Sequence, residues 1–158
     1  MFLIAFAFAA VDPPPRPMTL EFERDSITDE ISVKSELRDG PNRIEVTCDP
    51  AEYRGIRVDL HTNRWLARGN VFSGERPLIY RFDNARPRRT MWDIRQRRAR
   101  LDGRKQVRAF LRALAGSERL VVRTRDVEGH RYELAFRLVE TRPVIERTLE
   151  ACGESLER

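Results

Sequence analysis

The side chains best suited to chemistry are arginines, which crowd one part of the chain. Between residues 84 and 125, 14 Arg and Lys residues stand against three acids, a net charge of +11, so the remaining residues carry −6. Guanidinium groups bind phosphates and carboxylates through paired hydrogen bonds. Such a field favours anionic partners: nucleic acid, acidic polysaccharide or lipid headgroups. The arginines predicted to form this anion-binding surface are Arg86, Arg88, Arg89, Arg95, Arg97, Arg98 and Arg100.

A simpler interpretation of the same segment is a solvated basic face without a partner, which is common for charge runs. Trp92 lies among the arginines and would suit stacking on bases or sugars. It falls in strand period with Ile94, however, which favours burial. Trp65, near His61 and Asn63, is less constrained and marks a second candidate binding patch. The sequence leaves ligand binding and a solvated face both open.

The sequence offers little that resembles a catalytic or metal site. His61 and His130 lie 69 residues apart in turn-like settings, outside any recognisable metal-binding motif. Asp25, Asp29 and Glu30 could in principle do acid–base work, but such clusters are more typical of a solvated turn. Nucleophile-elbow, phosphate-loop and Cys-x-x-Cys motifs are missing from the sequence. We therefore predict no enzyme, no metal and no cofactor. A hydrolase would require one of the histidines beside acids in a cleft.

The N-terminus predicts an exported protein, periplasmic or secreted. Residues 2–10 form an uncharged apolar run that ends in Ala-Phe-Ala-Ala, the pattern of a signal-peptidase site. The run lacks a positive n-region, which indicates a start codon placed too late. It is also shorter than the roughly 20 residues that cross a bilayer, so we expect no transmembrane span. The alternative is a first strand or an apolar tail.

In an exported chain, the only two cysteines, Cys48 and Cys152, predict a disulfide. In a cytoplasmic chain they would be small buried hydrophobes. We divide the chain into a signal peptide (1–10), a proline-rich leader (11–18), a single domain (19–153) and a polar tail (154–158).

The elements that would position these residues follow from hydrophobic period. Val107, Phe110, Leu111 and Leu114 form one stripe of a helix, which we expect Asp102 to cap at its start and Gly116 to end in a left-handed conformation. A hairpin follows, with strands at 120–122 and 132–138 around Glu128-Gly129, and then a second helix from Thr141 that places Ile145, Leu149 and Cys152 on one face. Before the first helix, short alternating runs recur every 10–14 residues from 19 to 95, and 95–103 is predicted as a polar connection.

This order predicts an α+β single domain, with a mostly antiparallel sheet, meander or sandwich-like, packed by two helices. It resembles the VasI/TagO family of type VI secretion-associated proteins over roughly residues 25–153. The segments that carry the resemblance are Asp25–Asp29, Arg43–Cys48, Ile79–Asp83 with Trp92 nine residues beyond, Phe110–Leu114, Leu120–Arg123 and Leu149–Cys152.

The resemblance implies an exported envelope protein associated with assembly of a contractile secretion machine, without catalytic residues. It also implies a structural bridge between Cys48 and Cys152, and a strand Tyr80–Asp83 that serves as scaffold or as a partner-facing edge. Our first hypothesis is therefore a non-enzymatic accessory protein that contacts envelope or secretion-machine proteins. The alternative is a basic binding module for an anionic polymer or lipid headgroup, which uses arginines between 86 and 112.

Overall fold

A computed structural model describes residue 14 and residues 16–51, 55–67 and 74–157. The predicted signal peptide and half of the proline-rich leader lie outside these residues. The described elements, in chain order, are β1 Thr19–Arg24, β2 Ile31–Asp39, β3 Asn42–Cys48, β4 Ile56–His61, β5 Gly74–Phe82, β6 Arg88–Arg95, β7 Arg98–Leu101, α1 Arg104–Ala115, β8 Arg119–Arg125, β9 Arg131–Arg137 and α2 Thr141–Ala151. The predicted α+β class, with two helices and an antiparallel sheet, is confirmed.

All nine strands belong to one open antiparallel sheet in the order β1-β2-β3-β4-β7-β6-β5-β8-β9. Three locally connected runs build it: the meander β1 to β4, the meander β5 to β7, and the hairpin β8–β9. Two pairings join the runs, β4 with β7 and β5 with β8. The described strands form one continuous sheet and not two packed sheets, so of the two predicted forms the meander is present and the sandwich is not. The backbone N–H of Met18 donates to the carbonyl of Val139 at 3.3 Å, which brings the two ends of the sheet together.

The pairings correct two predictions. Residues 98–101 form strand β7 and not a polar connection, because their Arg-Ala-Arg-Leu alternation fits between β4 and β6. Strand β5 is paired on both sides, so Tyr80 and Phe82 belong to the scaffold and do not form a partner-facing edge.

The core lies on the helix-facing side of the sheet and is centred on Phe110 of α1. Tyr80, Phe82 and Trp92 meet this ring edge-to-face, with centroids 5.2, 5.3 and 5.7 Å away. Such contacts add to the burial of the rings themselves. Trp92 is 2% exposed, which confirms the burial predicted from its strand period.

Helix α1 has the predicted residues but not the predicted caps. Val107 N–H donates to the Gly103 carbonyl at 2.8 Å, so Gly103 is the N-cap residue and Asp102 lies one position too early. Gly116 has φ −109° and not a left-handed angle. The helix instead ends in a tightened turn, in which Gly116 N–H donates to the Ala113 carbonyl at 3.2 Å. The Thr141 hydroxyl donates to the Leu114 carbonyl at 2.9 Å, so the start of α2 caps the end of α1.

Helix α2 is fixed to the sheet by the predicted disulfide. Cys48, at the end of β3, is bonded to Cys152, directly after α2, with Cα atoms 5.9 Å apart. Ile145 and Leu149 are buried on the same face. The predicted polar tail then lies along α1, where Glu154 pairs with Arg104 at 2.8 Å. Among the residues described, no helix has the length and apolarity needed to cross a membrane.

Candidate functional site

The outward face of the sheet carries many charged side chains, and the strand register sorts them into rows. Side chains directly opposite each other on neighbouring strands share a face. One row across β2, β3, β4, β7 and β6 consists of Glu36, Glu45, Asp59, Arg100 and Asp93. The next row consists of Arg38, Arg43, His61, Arg98 and Arg95. We call the outward side of β2, β3, β4 and β7 the balanced face, because an acidic row runs beside a basic one.

Asp59 is the centre of the balanced face. Its side chain is 2% exposed and accepts two hydrogen bonds from Arg100, at 2.9 Å from Nε and 3.1 Å from Nη2. Arg57 and Arg98 lie 3.6 Å from the same carboxylate. Three guanidinium groups therefore cover one carboxylate. The ion pairs and hydrogen bonds offset the free-energy cost of burying its negative charge.

Further ion pairs involve the other two acids of this face, each shared between basic side chains. Glu36 pairs with Arg38, and also with Arg43 at 3.2 Å. Glu45 pairs with Lys34 at 3.1 Å. Every basic side chain from Lys34 to Arg100 on the balanced face thus contacts one of three acids, either along its own strand or across to a neighbouring one.

The seven predicted anion-binding arginines lie in several places. Arg98 and Arg100 contact Asp59, and Arg95 pairs with Asp93 at 3.3 Å. Arg86 and Arg88 are exposed near the β5–β6 turn, and Arg89 points outward from β6 opposite Ile79. The guanidinium of Arg97 lies 4.9 Å from the centroid of the Trp65 ring. Residues 86–100 therefore do not form one continuous binding surface.

A small cleft lies at the β6–β7 turn. It has a volume of about 420 Å³ and is lined by His61, Arg95, Gln96, Arg97 and Arg98. Burial, followed by the charge of Arg43, lowers the pKa of His61. Glu45 opposes this effect from 3.6 Å away. Trp65, 45% exposed, stands beside the cleft under Arg97. The predicted second binding patch therefore has an exposed ring, but a guanidinium already stacks on it.

The strongest positive patch lies on the other half of the sheet. We call it the arginine face; it comprises the outward side chains Arg81, Arg89, Arg119, Arg123, Arg125, Arg131 and Arg137 on β5, β6, β8 and β9. All seven are exposed. Glu133 is the one acid of the described chain within this patch, and it binds Arg123 at 2.7 Å. Asp93 and Glu75 lie opposite each other just beyond its border. The face therefore keeps a large net positive charge.

The strand register places these arginines close together. Arg119 lies opposite Arg137, and Arg125 lies opposite Arg131, on the β8–β9 hairpin. The side chains of Arg76, Arg89, Arg123, Arg125 and Arg131 border an open groove of about 510 Å³, with Pro77 and Ile79 at its floor.

Six of the seven arginines of this face, all except Arg89, lie outside the predicted site, and five of them belong to the β8–β9 hairpin. The hairpin segments Arg119–Arg125 and Arg131–Arg137 were assigned to the scaffold because their even-numbered positions alternate as core. The signal was present in the odd-numbered positions, where arginine recurs on both strands. These positions form one surface because of the register between β8 and β9 and the pairing of β8 with β5. Neither can be read from the sequence of the hairpin alone.

His61 meets the requirement stated for a hydrolase, because it lines the cleft and lies 3.6 Å from Glu45. His130 does not, because its side chain is 67% exposed on a turn. The contacts of His61 are with Arg43 and Glu45, and those of His130 are with Asp126 and Glu128. None of these partners is a hydroxyl or a thiol. The carboxylate of Asp25 accepts hydrogen bonds from the backbone of Thr28 and Ile27, which lower its pKa and hold the turn. Within the described ranges, no three His, Cys, Asp or Glu side chains are grouped as a metal ligand set would be.

No protein family, curated protein or solved structure matches this chain.

Proposed function

We propose that the protein is an exported, disulfide-stabilised binding module that contacts an anionic component of the cell envelope through its arginine face. The observation that carries the proposal is the charge of that face: among the described residues, Glu133 is the one acid that forms an ion pair with any of its seven arginine side chains. Asp83, at the border of the face, accepts a hydrogen bond from the backbone N–H of Arg119. The proposed ligand class is the one predicted for a basic binding module, but the site is different. Export is supported by the Cys48–Cys152 bond, because disulfides persist mainly in oxidising compartments.

The contrast between the two halves of the sheet supports this proposal. On the balanced face, Glu36, Glu45 and Asp59 each contact two or more basic side chains. On the arginine face, Arg123 alone has an acidic partner among the described residues. Clustered like charges repel each other and destabilise the compact state, whereas they raise the local concentration of an anionic ligand. An anionic ligand would remove the repulsion.

The binding mode follows from the shape of the surface. Long guanidinium side chains stand on a regular sheet around an open groove, so they can bind a repeated anionic group without enclosing it. The proposed action is therefore contact without chemical conversion.

The proposal is tested with oxidised protein and a soluble polyanion. We expect fluorescently labelled dextran sulfate to bind, and unlabelled neutral dextran not to compete. The logarithm of the association constant should fall steeply and linearly with the logarithm of the salt concentration, because bound counterions are released. An association that is undetectable at low salt, or that does not change with salt, would overturn the proposal.

A second candidate function is the accessory role in a contractile secretion machine that the VasI/TagO resemblance implies. The strand, helix, hairpin and helix order around the Cys48–Cys152 bond favours it. The test is crosslinking in the native envelope, followed by recovery of this protein under denaturing conditions. Recovery of a secretion component would support the role, and its absence from a culture that assembles the machine would count against it.

A further inference from the structure

We propose that the arginine face docks the protein on the surface of an anionic phospholipid membrane. This inference rests on the proposed function and names the class of its ligand. It depends on three features of the face: the arrangement of its arginines, the apolar side chains between them, and the distribution of acids elsewhere on the molecule.

The arginines form a two-dimensional array and not a track. They occupy four adjacent strands, β6, β5, β8 and β9, and extend along β8 from Arg119 to Arg125. With strands about 4.8 Å apart and a rise of about 3.3 Å per residue, the array measures roughly 14 Å by 20 Å. A single linear polymer would lie along one line of this array. A plane of lipid phosphates can meet all of it.

Apolar side chains lie within the same face and at its β6 border. Met91 is 48% exposed and lies opposite Pro77, while Ile79 lies between Arg89 and Arg123. Stable attachment to a bilayer generally needs two signals, of which basic charge is one and an apolar group that enters the headgroup region is another. A hydrophilic polyanion offers no apolar environment in which Met91 could be buried. A lipid surface can bury Met91 in its headgroup region and bind the guanidinium groups through its phosphates.

The charge elsewhere would orient the molecule. The β1–β2 end carries Glu21, Glu23, Asp25, Asp29 and Glu30, and Arg24 is the basic residue among them. An anionic surface attracts the arginine face and repels these acids, which favours orientations that turn the β1–β2 hairpin away from the membrane.

The experiment is co-sedimentation of the oxidised full chain with vesicles of phosphatidylcholine, with and without phosphatidylglycerol, over a range of salt concentrations. We expect binding that requires phosphatidylglycerol and weakens as salt rises. The apolar residues 2–10 can enter neutral and anionic vesicles alike. The measured quantity is therefore the ratio of the protein bound to vesicles with phosphatidylglycerol to that bound to vesicles without it. Equal binding to both vesicle types would overturn the inference.

Variants localise the binding. We expect the double substitution Arg89→Gln/Arg131→Gln to weaken binding to phosphatidylglycerol vesicles by about 25-fold, at about fivefold for each arginine near the surface. The matched control is Arg24→Gln/Arg142→Gln, which removes the same charge from exposed positions outside the face and should change binding little. Thermal unfolding of each variant verifies that the fold is kept. An Arg89/Arg131 variant that binds like the control would overturn the inference.

The outcomes separate this inference from the proposed function. Binding to dextran sulfate without any preference for anionic vesicles would overturn membrane docking and leave the proposed function standing, with a soluble or cell-wall polyanion as ligand. Failure to bind either probe would overturn both. Met91→Ser supplies an independent readout, since it should weaken vesicle binding while it leaves dextran sulfate binding unchanged.

Discussion

Asp59 illustrates how a single acid can determine the character of a surface. Its carboxylate lies beneath Arg57, Arg98 and Arg100, which are themselves 18%, 34% and 26% exposed. The guanidinium groups thus keep part of their hydration, while the carboxylate has lost nearly all of its own. The three guanidinium groups therefore depend on the negative charge of Asp59 to lie this close together.

We expect Asp59→Asn to destabilise the protein by about 3 kcal/mol, the lower end of the range for breaking a buried ion pair, because the arginines retain some solvent. Urea unfolding measures the change. The matched control is Asp93→Asn, which removes a more exposed carboxylate paired with Arg95 and should cost no more than about 1 kcal/mol. Equal losses in the two variants would show that the cluster around Asp59 has no special role.

His61 makes stability depend on pH. Burial lowers its pKa in the folded protein, so the unfolded chain takes up a proton more readily. The stability that His61 contributes is present above the ordinary histidine pKa of about 6.5, and it is lost as pH falls below that value.

We expect His61→Gln to reduce the slope of the unfolding free energy against pH from about pH 6.5 downward, since glutamine does not titrate. Urea titrations at a series of pH values measure this slope. At pH 8 the wild-type imidazole is neutral, so the difference between the proteins there reports packing alone. An unchanged slope below pH 6.5 would contradict the assignment.

At the scale of elements, the bond between Cys48 and Cys152 joins β3 to the end of α2. The two residues are 104 positions apart. A crosslink over such a loop restricts the unfolded chain, and the chain-entropy model assigns it about 4–5 kcal/mol.

We expect the double substitution Cys48→Ala/Cys152→Ala to lower the unfolding free energy by about 4–5 kcal/mol relative to the oxidised protein. Removing both sulfurs avoids a free thiol. Reduced wild-type protein is the control, because it keeps the side chains and lacks the bond. A loss below about 1 kcal/mol in both would mean that α2 is held by packing and by the ion pairs of Glu154 alone.

At the scale of the whole molecule, the sequence predicted those features that depend on neighbouring residues. The stripe of Val107, Phe110, Leu111 and Leu114 identified α1, and alternation identified β8 and β9. The turn predicted at Glu128-Gly129 is also present, with Gly129 at φ +87°. Each of these follows from the period of apolar residues or from the conformation of one residue.

Features that depend on distant residues were not predictable in this way. Strand β7 has only Ala99 and Leu101 as core residues, and its neighbour β4 lies some 40 positions earlier in the chain. The neutralisation of Arg98 and Arg100 depends on Asp59, which is far from them in sequence. Net charge along a segment therefore does not show which arginines share a surface, because the surface is set by which strands pair.

The position of the disulfide also governs how the chain matures. Cys48 ends the third strand and Cys152 follows the last helix, so the two thiols meet only after residue 152 has been synthesised. The chain contains no other cysteine. A monomer thus has one possible pairing, and no incorrect internal bond can form that would need to be exchanged. Maturation therefore requires an oxidant but no disulfide isomerase.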